Sequence, residues 1–393
     1  MSLTFALLLA TQTLSQRGFV DSGAAFYPQA AVNDSAHVVG EVLFRDEAFY
    51  KPRTDFQISG GIDLRTDTHH LVERSFHVSW ADREVRRPLF SIRRLSAGYH
   101  RGGLHFEVGK QFVRWGRTDI LNPTDRFAPH DFLIVVDKEF LGIVAARATY
   151  EKGSNTLDAV WSPRFTPSRV PLAGQRWFIV PPGVTLPPLE TRIPDGPQYG
   201  FRWSRIGLVE FSAAYYHGFN DVPLFGLTYP RVRMIGGDAA VPLRWLTIKT
   251  EAGYFHFPND SLLSASGIQL DDYVQYVIQL ERQTGEWFLI GGYAGEVQTR
   301  RGNLPILFNP SRGLAESFIG RAGYTIGPDR NVSVESSVRQ DGKGVWTKAE
   351  YSQAFGQHWR VTTSFTLIRG APTDFIGQYR RNSNGLIAVK YSF

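Results

Sequence analysis

Ionisable side chains are concentrated in one segment, residues 115–131, that has neither helical nor strand periodicity. They are Arg117, Asp119, Asp125, Arg126, His130 and Asp131. Asx and proline residues such as Asn122 and Pro123 can fix this kind of backbone without a helix or a sheet. Arginine opposite carboxylate across a narrow pore creates a transverse field that orders polar solutes and rejects apolar ones. These residue types predict one of two roles for the segment: a charged constriction in a pore, or a loop whose ion pairs only hold it in place.

Other kinds of chemistry find little support in the sequence. The chain has no cysteine, which excludes disulfides, thiolate metal sites and cysteine nucleophiles. Its ten histidines are scattered, and neither an H-E-x-x-H metal pattern nor a G-x-S-x-G nucleophile motif occurs. The formal charge of +6 is spread along the chain, without the basic block typical of nucleic-acid binding. We therefore expect no enzymatic activity, no cofactor, no metal and no nucleic-acid partner.

The elements that must position the charged segment are predicted to be β-strands, because many runs alternate apolar and polar residues. In residues 331–339, the apolar Val332, Val334 and Val338 alternate with serine, glutamate and arginine, and residues 273–281 and 359–367 alternate in the same way. No run of 18 or more apolar residues occurs, which excludes membrane helices. A charged side chain facing lipid near the membrane midplane costs roughly 2–4 kcal/mol, so the polar face must point into a watery lumen.

The same alternation assigns a set of charged side chains to the lumen. They are Arg94, Arg147, Arg202, Lys249, Glu251, Arg321, Glu335, Arg339, Lys348, Glu350 and Arg360. Counted with the remaining inward-facing charged residues, the balance leans slightly basic. Charge alone therefore does not indicate which solutes would pass.

The connections between the predicted strands alternate between tight turns and long loops. The turns are rich in Gly, Asn, Asp and Pro, and the charged segment lies in the third long loop, residues 115–138. This rhythm predicts an all-β fold: an antiparallel, up-and-down transmembrane β-barrel of about 18 strands, with short periplasmic turns and long extracellular loops. The alternative is a barrel of 16 strands, in which one of the predicted hairpins is part of a loop. Residues 66–87 hold either a loop excursion or part of another strand.

Both ends of the chain carry patterns connected with export. Residues 3–10 form an apolar run of the length of a secretory signal, although no Lys or Arg precedes it. We predict a signal peptide over residues 1–16 and a single barrel domain over residues 17–393; the alternative for the apolar run is a first core strand. At the other end, Val389, Tyr391 and Phe393 share one face of the final strand. This ending resembles the C-terminal signal that the barrel assembly machinery of Gram-negative bacteria reads.

Two further resemblances concern the charged segment. Its position resembles that of the third extracellular loop of porins, which folds into the lumen and narrows it. That resemblance implies that its six ionisable residues line or brace a constriction. Residues 109–117 and 122–125 also resemble a signature of a poorly characterised group of Gram-negative outer-membrane barrels found beside exporters of hydrophobic compounds. This second resemblance implies a role in moving lipid-like or other hydrophobic molecules through the envelope.

The leading prediction is an outer-membrane, porin-like channel for passive diffusion of small solutes, because a barrel of about 18 strands is wide enough for an open lumen. The alternatives are a barrel for export or uptake of hydrophobic or lipid-like compounds, and an adhesion or scaffold barrel that works through its loops. Expected partners are outer-membrane lipid and lipopolysaccharide, the barrel assembly machinery and a small solute. A homotrimer is one option for the assembly.

Overall fold

Strands account for most of the chain in the computed structural model, which describes residues 14–119, 121–137, 139–180, 193–224, 228–258, 267–303 and 308–393. Most of the predicted signal peptide, residues 1–13, lies outside the described residues, whereas residues 14–16 belong to the first strand. The strands are β1 (Leu14–Phe26), β2 (Val38–Arg53), β3 (Phe56–Asp67), β4 (Val78–Ser79), β5 (Phe90–Arg101), β6 (Leu104–Gln111), β7 (His130–Asp131), β8 (Glu139–Phe140), β9 (Ile143–Lys152), β10 (Asn155–Ser162), β11 (Gln198–Arg205), β12 (Glu210–Phe219), β13 (Arg231–Pro242), β14 (Thr247–His256), β15 (Asp272–Thr284), β16 (Trp287–Arg300), β17 (Ser317–Gly327), β18 (Arg330–Arg339), β19 (Gly344–Phe355), β20 (Trp359–Gly370) and β21 (Asn384–Ser392).

Eighteen of the strands in the described part of the chain form one closed antiparallel barrel. Each pairs with the barrel strands before and after it, and β1 also pairs with β21, from Phe19 opposite Ser392 to Phe26 opposite Gly385. Closure leaves no edge strand open to another chain. The prediction of an all-β, up-and-down barrel of about 18 strands is confirmed, and the alternative of 16 strands is wrong.

The three remaining strands are only two residues long and lie in the long connections. β3 pairs directly with β5 in the wall, so most of residues 66–87 form a loop excursion. Within this excursion, β4 runs parallel to the start of β5, and Val72 bridges Arg87. β7 and β8 pair with each other in the connection between β6 and β9.

The two faces of the wall differ in chemistry. Large apolar side chains are exposed on the outward face, as Ile235 on β13 at 62% and Phe318 on β17 at 56% illustrate. Polar side chains are buried on the inward face, as Glu251 on β14 is at 1%. Lipid can cover the apolar face, whereas the polar face needs water or internal partners. This arrangement agrees with the alternation in the sequence.

Tight turns join the strands at one end of the barrel, and long connections join them at the other. Gly153 and Gly285 occupy tight turns with φ of 59° and 55°, a left-handed conformation that glycine adopts at little cost. Helical elements include a single turn at Pro310–Gly313 and a 3-10 segment at Gly377–Asn382. No helix in the described part of the chain is long and apolar enough to cross a membrane.

The connection between β6 and β9, residues 112–142, is called the β6–β9 segment below. Its apolar side chains pack against inward-facing side chains of the wall. The ring centroids of Trp115 and Phe127 are 5.2 Å apart, and those of Phe127 and Tyr216 on β12 are 5.1 Å apart, both edge to face. Met234 and Phe255, on β13 and β14, belong to the same cluster. The apolar packing and the charged residues of the segment therefore meet the same part of the wall.

Candidate functional site

Glu251 on β14 holds the first half of the β6–β9 segment. One of its carboxylate oxygens accepts hydrogen bonds from the backbone N–H groups of Arg117 and Thr118, at 2.8 and 3.2 Å. The other accepts from the backbone N–H and the hydroxyl of Thr124, at 2.9 and 2.8 Å. Hydrogen bonds to an ionised acceptor are about twice as strong as neutral ones. Glu251 is therefore an anchor for the segment.

The Arg117 side chain spans two neighbouring strands of the wall. Its Nε lies 2.5 Å from Oδ1 of Asp238 on β13, and its Nη1 donates to Glu210 on β12. Asp238 also accepts a hydrogen bond of 2.8 Å from Arg202 on β11. Carboxylates and guanidinium groups thus alternate across three strands on the inward face.

Asp119 contacts the next part of the wall. Its backbone N–H donates to the side-chain oxygen of Gln279 at 3.0 Å, and its carboxylate accepts from the Gln279 amide at 2.5 Å. The same carboxylate lies 3.3 Å from Nζ of Lys249. The Asp119 side chain is 44% exposed, so its charge remains accessible.

Asp125 binds its own segment. Its carboxylate accepts from the backbone N–H groups of Trp115 and Gly116, the latter at 2.6 Å. Burial raises the pKa of the Asp125 carboxyl, and the Gly116 amide offsets only part of that effect. Asp125 therefore closes a turn and braces the segment.

Arg126 and His130 connect the segment with neighbouring loops. Arg126 donates to Asp221, beyond the end of β12, at 2.7 Å. The backbone N–H of His130 donates to the Ser168 hydroxyl at 2.9 Å, and the His130 ring stacks on Phe132 with centroids 5.1 Å apart. The hydrogen bonds with Asp221 and Ser168 brace the long connections against one another.

Asp131 lies between two arginines from other loops. Arg87 donates to it at 2.9 Å, and Arg169 lies 3.4 Å away. Burial of Asp131 opposes ionisation, but the two guanidinium groups outweigh it and hold the pKa of Asp131 below its usual value. The six predicted constriction residues thus divide into Arg117 and Asp119, which contact charged residues of the wall, and four whose hydrogen bonds and ion pairs are with the segment itself or other loops. Arg126 also lies over the Phe255 ring of β14, 5.3 Å from its centroid.

The predicted lumen-lining residues occupy positions on the inward face, and most of them contact a partner of opposite charge or a ring. These contacts are Arg94 over the Phe112 ring, Arg147 with Asp158, Arg202 with Asp238, Lys249 with Glu281, Glu251 with the β6–β9 segment, Arg339 with Asp374, Lys348 with Glu350, and Arg360 with the Ser352 hydroxyl. Arg321 and Glu335 occupy directly opposite positions on neighbouring strands. Charge on the inward face is therefore largely compensated within the protein.

Sequence reasoning missed one cluster, in which Glu139 of the β6–β9 segment binds three arginines of the wall. Arg65 and Arg93 donate to Glu139 at 2.7 and 2.9 Å, and Arg45 donates to it as well. Burial opposes ionisation of Glu139, but the arginines hold its pKa well below the usual value. The alternating runs of β2 and β3 could have indicated that Arg45 and Arg65 face inward. No signal in the sequence indicated their partner, which is 94 and 74 residues away.

Solved structures of similar fold cover nearly the whole chain. OccAB4 of Acinetobacter baumannii matches with a TM-score of 0.56 and 11% sequence identity, over 96% of this chain and 97% of that chain. A BenF-like porin from Pseudomonas fluorescens Pf-5 matches with a TM-score of 0.56 and 10% identity, over 97% and 98%. OccK2 (OpdF) of Pseudomonas aeruginosa, solved in complex with glucuronate, matches with a TM-score of 0.55 and 10% identity, over 97% and 96%. The fold is that of an outer-membrane porin.

The porin fold is shared along the chain at low sequence identity. No protein-family model and no curated protein matches the sequence. Within the described residues of this porin fold, no group of three or more His, Asp or Glu side chains could hold a metal ion. The arrangement that the residues do provide is a charged, hydrogen-bonded segment attached to the inward face of the barrel.

Proposed function

We propose that this protein is an outer-membrane channel for the passive diffusion of small solutes, and that the β6–β9 segment narrows its lumen. The observation that carries this proposal is the set of contacts from Arg117 and Asp119 to inward-facing residues of β12 to β15. A segment attached to that face occupies space that a solute would otherwise use. A barrel of 18 strands leaves a lumen that wall side chains alone do not fill.

Charged side chains at the point where the β6–β9 segment narrows the lumen would exert an electric field on a passing solute. Arg117 and the carboxylates of Glu210 and Asp238 place opposite charges a few ångströms apart, next to the exposed carboxylate of Asp119. Such an arrangement favours solutes whose dipoles can align with the local field. The channel would therefore select by polarity and size, and the proposal includes no catalytic step.

The proposal extends to the surroundings of the barrel. The exposed apolar outer face suits outer-membrane lipid and lipopolysaccharide. The final strand, with Val389, Tyr391 and Phe393, would be the part that the barrel assembly machinery binds. Phe393 exchanges backbone hydrogen bonds with Gly18 in the finished barrel, so any earlier partner of this strand must be released first. The proposal includes a homotrimer, which would assemble through the outer face.

Single-channel conductance of the refolded protein in a planar bilayer tests the proposal. We expect steady ohmic conductance for the wild type. We expect a higher conductance and a shift toward cations for Arg117→Ala, because Glu210 and Asp238 keep their charges. Arg53→Ala is a matched control, since Arg53 contacts Asp55 in an exposed tight turn. Absence of conductance in the wild type would contradict the channel and would favour the alternative of a barrel that carries hydrophobic compounds.

A further inference from the structure

A cavity of about 310 Å³ lies between the second half of the β6–β9 segment and the inward face of β17 to β20. The 3-10 segment after β20 closes it on a third side through Tyr379, together with Ile376 just before that segment. This volume corresponds to about ten water molecules at ~30 Å³ each. It is large enough for one small solute with a single ring.

Most of the cavity wall is apolar. Trp346 on β19 and Ile368 on β20 are directly opposite each other in the sheet and belong to one apolar cluster with Ile376 and Tyr379. Val135 of the β6–β9 segment joins the same cluster. Inward-facing positions in a watery lumen are normally polar, so an apolar cluster at this level provides a surface for an apolar body.

Two polar groups on this wall lack partners among the described residues. Ser337 on β18 lies directly opposite Trp346 in the sheet and is 2% exposed. The Ser337 hydroxyl and the indole N–H of Trp346 are both buried without a hydrogen-bond partner in the described part of the chain. Buried polar groups are nearly always hydrogen-bonded in folded proteins, because leaving one unpaired is costly. A solute that carries an acceptor group would satisfy both.

The charges around the cavity disfavour an anion. Three carboxylates line it, those of Asp119, Asp137 and Glu335, against one ammonium group, that of Lys348. The Lys348 ammonium already lies 3.5 Å from Glu350 and 3.9 Å from Asp137. Lys249, 3.3 Å from Asp119, and Arg321, opposite Glu335 in the sheet, do not line the cavity. A carboxylate solute inside it would therefore contact more acidic than basic side chains.

We propose that this cavity is a binding site for a small, uncharged, ring-bearing solute with a hydrogen-bond acceptor, of the class of an aryl alcohol. The ring packs on Trp346, Ile368 and Ile376, and the acceptor oxygen receives hydrogen bonds from Trp346 Nε1 and the Ser337 hydroxyl. The inference rests on the proposed channel only in so far as the channel brings the solute to the cavity. It assigns this barrel a preference for neutral over anionic ring compounds.

Three probes that share one ring test the site: benzyl alcohol, benzylamine and benzoate. Binding to the refolded, detergent-solubilised protein is measured by titration calorimetry. We expect the alcohol to bind more tightly than benzoate, which contacts the acidic side chains, and more tightly than benzylamine, whose ammonium group cannot accept a hydrogen bond from the Trp346 N–H. Trp346→Phe keeps an aromatic ring but removes the N–H, and we expect it to weaken alcohol binding about fivefold, the value of one net hydrogen bond. Ser337→Ala removes the second group with little change in volume and should weaken binding to a similar extent.

Trp287→Phe is the matched control, because Trp287 is exposed on the outward face at the start of β16. It should leave binding of the alcohol as in the wild type. Benzoate binding as tightly as the alcohol would overturn the inference, and so would unchanged alcohol binding in both Trp346→Phe and Ser337→Ala. A wild-type protein that conducts but binds none of the probes would overturn the site and leave the channel. A protein that binds the alcohol in the expected order but does not conduct would support the site and overturn the channel.

Discussion

Replacing Glu251 by glutamine tests whether one carboxylate holds the β6–β9 segment in place. The side chain keeps its size, but one oxygen becomes an amide nitrogen, which donates hydrogen bonds and accepts none. Thr124 donates twice to one oxygen, and the backbone N–H groups of Arg117 and Thr118 donate to the other. Whichever oxygen is replaced, at least two donors of the segment lose their acceptor.

The size of the effect follows from these contacts. A hydrogen bond to a charged group contributes about 1.5–3 kcal/mol, so the loss of two removes about 3–6 kcal/mol from the attachment of the segment. A difference of about 1.4 kcal/mol changes an equilibrium tenfold. The population with a detached segment should therefore rise on the order of a hundredfold or more.

Limited trypsin digestion of the refolded protein measures this population, because a detached segment exposes the peptide bonds after Arg117 and Arg126. Single-channel recordings should show larger and noisier currents in the same variant. Glu107→Gln is the matched control: Glu107 lies on β6, where its carboxylate accepts a hydrogen bond of 2.6 Å from Ser96. If Glu251→Gln resisted trypsin as well as the control does, Glu251 would not be the anchor.

Three further predictions concern the charges around the segment and the end of the chain. Glu139→Gln leaves its arginines without their shared carboxylate, so the ratio of anion to cation permeability should rise about tenfold in dilute salt, because one unit charge roughly 6 Å from the ion path shifts the energies of an anion and a cation by ~0.7 kcal/mol each, in opposite directions; an unchanged reversal potential would contradict the cluster. The pKa of Asp131 is lower in the folded than in the unfolded protein, so its stabilising effect is present above the unfolded value and is lost as pH falls through the lowered one. We therefore expect hydrogen exchange of the Arg87 backbone amide to stay slow at mildly acid pH. Fast exchange of this amide already near neutral pH would contradict the ion pair. Phe393→Ala removes a ring that stacks on Phe44 and covers Gly18; we expect a smaller heat-modifiable fraction after refolding, with Phe393→Tyr close to the wild type.

The barrel itself could be predicted from the sequence because its causes are local. Alternation with a period of two, as in Val332, Val334 and Val338, reports which face of a strand meets lipid, and this rule applies to each strand separately. The number of strands followed from the alternation of tight turns and long connections. The ambiguity at residues 66–87 disappeared only when the pairing of β3 with β5 was known.

The site could be predicted only in part, because its partners are distant in the sequence. Composition indicated that Arg117 and Asp119 lie in an unusual segment, but their contacts with Asp238 and Gln279 join residues 121 and 160 positions apart. The cluster around Glu139 could not be predicted for the same reason, because its members are distant in the sequence. The cavity beside Trp346 depends on four separate parts of the chain, and an inward-facing tryptophan breaks the alternation instead of following it.

The contacts of the β6–β9 segment also determine the order in which the molecule can form. The segment is followed along the chain by β9 to β21, yet it is anchored on β14 and β15, more than a hundred residues later. Contacts between such distant residues form slowly, because a long loop must close before they contribute any stability. The wall must therefore exist before the segment can attach to it. A newly closed barrel would pass through a wide and permeable stage, and its narrow state would be the last part of the structure to mature.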